Sequence, residues 1–335
     1  GNAGKKIRII KTDSSVNIVT VDPNGAQTIN GVATYVVSSQ YESVNLTSDG
    51  SNWALISAAR VDKSICQGRL TLTSGTPVTS QDVTAAGTLY FTPFKGDAIA
   101  LYDSGAKWQQ FTFTEISLTL TLTNATNYDV FAYNNAGVVT LETTAWTNDT
   151  TRATALILQN GVYVRTGATT RRYLGTIRAS ATNQTEDSLA KRFVWNFYNR
   201  AGRHLTRQDT TASWTYTTAT ARQANASTAN QLDFVIGVVE DLVYCRLQQR
   251  VANTAANVQV LSYIGLDTTA SAALGSFTGN VVSYVAGQVQ QIVASYSGYP
   301  GIGRHVLIWV EFSAATGTTT WYGAEHSGLD GEVWG

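Results

Sequence analysis

The sequence predicts an all-β chain built of successive sandwich- or barrel-like modules, and three observations carry that prediction. Apolar and polar residues alternate at period two. Ile116, Leu118, Leu120 and Leu122 are interleaved with Ser117, Thr119, Thr121 and Thr123, which puts one set on each face of a strand. Turn-forming clusters punctuate the chain at intervals of roughly ten residues, among them Asp22-Pro23-Asn24-Gly25, Asn30-Gly31, Asp49-Gly50, Ser74-Gly75, Asn160-Gly161 and Tyr299-Pro300-Gly301. The composition suits a pleated surface: threonine is the commonest residue, aromatics make up 10%, and Met is absent.

Taken in order, residues 1–58 read as a small β module. Val16, Ile18 and Thr20 face one way in it, Asn17, Val19 and Val21 the other, and it closes at Asp49-Gly50-Ser51-Asn52-Trp53. Residues 59–204 read as a central β domain. Near its end one stretch, 185–200, departs from the alternation. Thr185 can cap a helix whose first turn carries Glu186 and Asp187, Leu189, Phe193 and Phe197 recur every four residues, and Gly202 can terminate it. The other reading of this stretch is a strand with Phe193, Trp195 and Phe197 bulky on its faces. Residues 205–335 open with a polar stretch and then become apolar. Strands are expected near 232–239, 242–247, 258–264, 281–285, 289–294 and 305–312, a number that suits a jelly roll. In the last of these Val306, Ile308, Val310 and Phe312 alternate with Leu307, Trp309 and Glu311, so both faces are expected to be covered.

Composition also excludes. Lys and Arg number 23, Asp and Glu 23, and charged residues are 14% of the 335. A neutral chain lacks the surplus of cations that phosphate binding requires, so nucleic acid is not an expected partner. No apolar run reaches the ~18 residues of a membrane span, so membrane insertion is not expected. Cys66 and Cys245 are too few for a disulfide framework and read as small buried hydrophobes. A chain that opens Gly1-Asn2-Ala3-Gly4 without methionine is expected to be a processed product or a piece of something longer.

Several long strings resemble bacteriophage tail proteins. In the first module these are Ile7 to Asp13 (IRIIKTD), Val19 to Gly31 (VTVDPNGAQTING) and Ser39 to Trp53 (SQYESVNLTSDGSNW). In the central domain they are Gly68 to Gly75 (GRLTLTSG), Leu89 to Asp103 (LYFTPFKGDAIALYD), Tyr128 to Leu141 (YDVFAYNNAGVVTL), Trp146 to Ala155 (WTNDTTRATA), Gly167 to Gly175 (GATTRRYLG) and Thr185 to Arg200 (TEDSLAKRFVWNFYNR). The resemblance is to tail-fibre and receptor-binding tail proteins, covers roughly residues 1–204, and ends there. It implies a homotrimeric, elongated fibre component of the virion, assembled in the host cytoplasm alongside other tail or virion proteins, whose distal domain contacts the host surface. The alternatives are a structural virion component, such as a head fibre, capsid decoration or baseplate protein, and a tailspike glycan depolymerase.

An attachment function directs attention to aromatics that offer a ring to sugar C–H groups. Tyr296 and Tyr299, in the loop Ser295-Tyr296-Ser297-Gly298-Tyr299-Pro300-Gly301, are the first candidates, and Trp321 with Tyr322 the second. Their expected ligand is bacterial surface polysaccharide or lipopolysaccharide. No catalytic, metal or cofactor set is expected. The adjacent acids Glu186/Asp187 and Glu240/Asp241 point to opposite strand faces and cannot flank one glycosidic bond. His204, His305 and His326 share no ligand-spaced motif. The arginines, Arg171-Arg172 with Arg165 and Arg178, and Arg200, Arg203 and Arg207, can meet phosphates of lipopolysaccharide or carboxylates of neighbouring chains, and ion pairs between chains are the expected role.

Overall fold

A computed structural model describes residues 3–13, 17–38, 40–59, 61–103 and 107–335. It is all-β. The helical pieces among the described residues are the single 3-10 turns Ala224–Ala226 and Ala324–His326, and no described helix is long and apolar enough to cross a membrane. Val16, the first residue of one predicted alternation, lies outside the described residues.

The first module pairs Lys6–Ile10 with Ser43–Ser48 and that strand with Trp53–Ala59, all antiparallel, around a small core of Ile29, Val37, Val44 and Leu46. In the central body, Asn127–Asn135 pairs with Val138–Ala145 on one side and Ala168–Ala181 on the other. The predicted alternation holds here: Leu120 and Leu122 are buried while Ser117, Thr119, Thr121 and Thr123 face water. Turn chemistry acts as expected at Asn160-Gly161. Its φ values of 54° and 88° are the left-handed pair that a two-residue hairpin between Leu156–Gln159 and Val162–Arg165 requires.

The stretch 185–200 is not a helix. It forms the strands Gln184–Asp187, Lys191–Arg192 and Val194–Asn196. The physical reason is that two cores compete for it. Val194 belongs to the central core and Trp195, one residue on, to the core of the last domain, which is a demand for period two rather than 3.6. Glu186 and Asp187 are therefore not helix-dipole partners. Glu186 pairs with Lys191 at 3.0 Å, and Asp187 bridges Arg192 (2.9 Å) and Arg203 (2.7 Å).

The last domain is a jelly roll. Its eight principal strands are Gly202–Arg207, Gln231–Ile236, Val243–Asn253, Val258–Leu266, Gly279–Ser283, Val289–Gly298, Gly303–Ser313 and Gly328–Trp334. Numbered one to eight, they lie in two sheets of order 1-8-3-6 and 2-7-4-5, the arrangement produced by two Greek keys. Leu205, Leu247, Ile264, Leu307, Trp309 and Trp321 fill the space between the sheets, all at 0% exposure. Lys191–Arg192 runs parallel to Gln231–Ile236, so one sheet continues from the central body into the jelly roll.

Six of the arginines expected to meet neighbouring chains find partners within this one. Arg165 and Arg171 share Glu142, Arg178 holds Asp149 at 2.7 Å, Arg200 clamps Glu240 and Asp241, and Arg203 holds Asp187. Arg172, fully buried, donates to the carbonyls of Lys63, Ser64 and Ala100. Burial of so many guanidinium groups is tolerated because almost every donor meets an acceptor.

Candidate functional site

The jelly roll has two ends. One joins the central body: Arg152 donates to the Gly237 carbonyl at 2.7 Å, and the Arg304 N–H to the Asp149 carbonyl at 2.8 Å. The connections between strands one and two, three and four, five and six, and seven and eight all emerge at the opposite end. Their outermost segments are residues 216–221, 253–257, 284–288 and 314–318, and none of these holds a charged side chain. Tyr284 stands 76% exposed and Val285 61%, among Thr254, Asn257, Gln288, Thr316 and Thr318, all exposed.

This tip is built on a buried amide. Asn253, 1% exposed, donates to the Thr316 carbonyl (3.1 Å) and the Thr319 hydroxyl (2.6 Å), and accepts from the Ala255 N–H (2.7 Å). Its own carbonyl accepts from the Gly287 N–H at 2.7 Å. One residue thus ties three loops together. Gly317, at φ 67°, lies so close that an added Cβ would sit 2.4 Å from Asn253 Oδ1, so any side chain there would push the loops apart.

The long first connection has its own anchors. Asp209 accepts from Asn230 Nδ2 (2.6 Å), Asn225 Nδ2 (3.1 Å) and the Thr211 N–H (2.9 Å). Burial raises its pKa, but these donors outweigh burial and hold the carboxyl down at about 2. Glu311, fully buried, accepts from Trp214 Nε1, Arg222 Nε (both 2.7 Å) and the Asn225 N–H. A group whose folded pKa is depressed contributes stability above its ordinary pKa and loses it as pH falls through the folded value. The tip connection should therefore weaken between about pH 4 and about pH 2, by about 1 kcal/mol after solvent screening. Asp209→Asn should flatten that part of the thermal-stability profile against pH.

Of the four aromatics expected from the sequence, two are core residues. Tyr296, at 2% exposure, and Trp321, at 0%, present no ring to a ligand. Tyr296 shares the inward parity of Ile292 and Ala294 on its strand, and Trp321 donates its indole N–H to the Tyr216 carbonyl at 3.1 Å. Tyr299 is 60% exposed but lies at the end that joins the central body. Tyr322 is half-buried beneath the Arg250 guanidinium, 5.1 Å away. The four do not converge. Tyr284, the outermost tip aromatic, has a sequence signal of its own, the turn residue Gly287 close behind it.

Two further surfaces bear on function. On the outer face of the sheet containing Val243–Asn253, Tyr244, Phe277, Val293 and Trp334 are exposed at 47, 78, 45 and 44%. The same face carries His204, whose Nε2 lies 2.6 Å from Asp330, with Glu332 directly opposite it on the neighbouring strand. A cleft of about 650 Å³ separates the first module from the central body and is lined in part by Tyr35, Lys63, Lys107, Trp108 and Asn160. No group of three or more His, Cys, Asp or Glu among the described residues is placed to hold a metal ion.

No protein-family model matches the chain, and no curated protein does. Among solved structures it is similar to the insecticidal delta-endotoxin Cry8Ea1 of Bacillus thuringiensis, at 8% identity over 80% of this chain and 52% of that one, TM-score 0.23. A Cry1Da tryptic core variant from the same species shows 6% identity over 74% and 48% of the two chains, TM-score 0.21. The structure of infectious bursal disease virus Gx strain shows 9% identity over 82% of each, TM-score 0.16. The chain spans about half the length of the two endotoxins. Likenesses this faint carry no argument about function.

Proposed function

We propose that the chain is a receptor-binding fibre component of a tailed-phage virion, attaching the particle to a bacterial surface glycan through the distal loops of its jelly roll. The observation that carries this reading is the tip itself: an exposed tyrosine and a ring of hydroxyls and amides, without charge, at the end remote from the central body. The tail-protein strings of residues 1–204 agree with it. Rigid elements carry the loops, and a buried amide pre-sets them, which lowers the ordering cost of binding.

The fibre is a homotrimer in this reading. Tyr244, Phe277, Val293 and Trp334 expose apolar surface on the outer face of one sheet, and covering such surface between copies removes it from water. Sedimentation of the purified protein should give three times the 36.0 kDa chain mass; a 36.0 kDa species at micromolar concentration would end the trimeric part of the proposal. The same surface supports the second reading, a structural component that packs against other virion proteins.

Binding to host cells separates the two. Tyr284→Ala removes an exposed ring without opening a cavity, so melting should stay within about 1 °C of the parent. Cell binding should fall at least about tenfold, the worth of one stacked aromatic. Full retention of binding would favour the structural reading.

A further inference from the structure

We infer that the ligand of the distal tip is an uncharged polysaccharide, a chain of neutral hexoses, deoxyhexoses or N-acetylhexosamines, rather than one bearing carboxylate or phosphate. The inference rests on the attachment reading above and narrows its ligand.

A carboxylate or phosphate taken from water into a protein contact needs a cation or several aligned donors to replace its hydration. The four tip segments hold no Lys, Arg or His. The nearest arginines are already committed. Arg222 lies 3.7 Å over the Tyr216 ring with its Nε on Glu311, and Arg250 lies over Tyr322. Carboxylates are equally missing from the segments, so a cationic amino sugar finds no partner either. What the tip does offer is paired donor and acceptor capacity. Asn257 and Gln288 carry amides, Thr316 and Thr318 hydroxyls, and each can both give and receive a hydrogen bond, as sugar hydroxyls do. Tyr284 supplies the ring for the C–H face of a pyranose.

Neutral recognition also predicts how binding responds to salt. Interactions between charges are screened over a Debye length of about 10 Å at 0.1 M and about 3 Å at 1 M, whereas ring contacts and neutral hydrogen bonds are nearly insensitive.

The test uses the full chain on a panel of immobilised bacterial polysaccharides, half of them neutral and half bearing uronate or phosphate. Each is read at about 0.05 and about 0.5 M NaCl, with Tyr284→Ala and a Gln288→Ala/Thr318→Ala variant in parallel. Binding confined to neutral members, changing less than twofold across the salt range and reduced at least about tenfold by Tyr284→Ala, is the expected result. Binding to uronate- or phosphate-bearing members that weakens steeply with salt, yet still depends on Tyr284, would overturn the neutral class and leave tip attachment standing. Binding that both variants retain would overturn the tip itself. Absence of binding to every polysaccharide, with protease-sensitive binding to host cells, would overturn a glycan ligand of either kind.

Discussion

Replacing Arg152 by alanine should destabilise the protein by about 3–5 kcal/mol, because it leaves a buried carboxylate without its counter-charge. Arg152 reaches across from the central body. It holds both oxygens of Asp129 (2.7 and 3.2 Å), donates to the Gly237 carbonyl of the jelly roll (2.7 Å), and stacks 4.5 Å from the Trp146 ring. Asp129 is 2% exposed and would retain the Thr176 hydroxyl, at 2.8 Å, as a donor. Urea unfolding should show the loss directly. Removing both charges in an Asp129→Ala/Arg152→Ala variant should recover part of it, since no unpaired ion is then buried. Additive losses from the two single changes would mean that the pair is not coupled.

Trp321→Ala should cost about 3–5 kcal/mol as well, through the cavity left by a fully buried indole. Its companion Trp321→Phe keeps most of the volume and gives up the hydrogen bond to the Tyr216 carbonyl, about 1 kcal/mol. Binding by folded Trp321→Phe protein should match the parent within about twofold. This separates a core role from a ligand contact: a tryptophan that stacked on sugar would lose binding on the change to phenylalanine while the fold survived.

The contrast between Trp321 and Tyr284 shows how far the candidate site is written in local pattern. Fold class is legible because period-two alternation at 116–123 and the turn pairs are local features: burial alternates through Thr123 although the strand itself ends at Thr119, and Asn160-Gly161 turns as written. The helix expected at 185–200 fails because 3.6-residue spacing of Leu189, Phe193 and Phe197 arises by accident in a strand whose two faces serve different cores. Only knowledge of both cores reveals that. Register decides Tyr296, which has the parity of Ile292 and Ala294 and so faces inward with them. Tyr284 is illegible for the opposite reason: Val281 to Val285 read as one strand, but pairing stops at Ser283 and the turn through Gly287 lifts the tyrosine out. Arginine partners were illegible for a third reason. Arg172 meets acceptors 72 to 109 residues away in the chain, and such pairings exist only once the sheets are assembled.

The neutral composition acquires a location in this account. Charges are gathered at the junction between the central body and the jelly roll, where Asp129, Asp149, Asp187 and Asp233 meet Arg152, Arg178, Arg192, Arg203 and Arg304. At the far end the four outermost loop segments are left to tyrosine, threonine, amides and small apolar residues. Ionic networks hold the bodies together, and the proposed attachment surface would work by shape and hydrogen bonds.

The most direct test of the central claim is a competition for adsorption. Bacteria that the parent particle infects are incubated with purified protein before the particle is added, and free particles are counted over time. Attachment through the tip predicts that the parent protein slows adsorption in proportion to the sites it occupies, and that Tyr284→Ala protein of unchanged melting temperature does not. Adsorption undisturbed by saturating parent protein, or slowed equally by both proteins, would contradict the account.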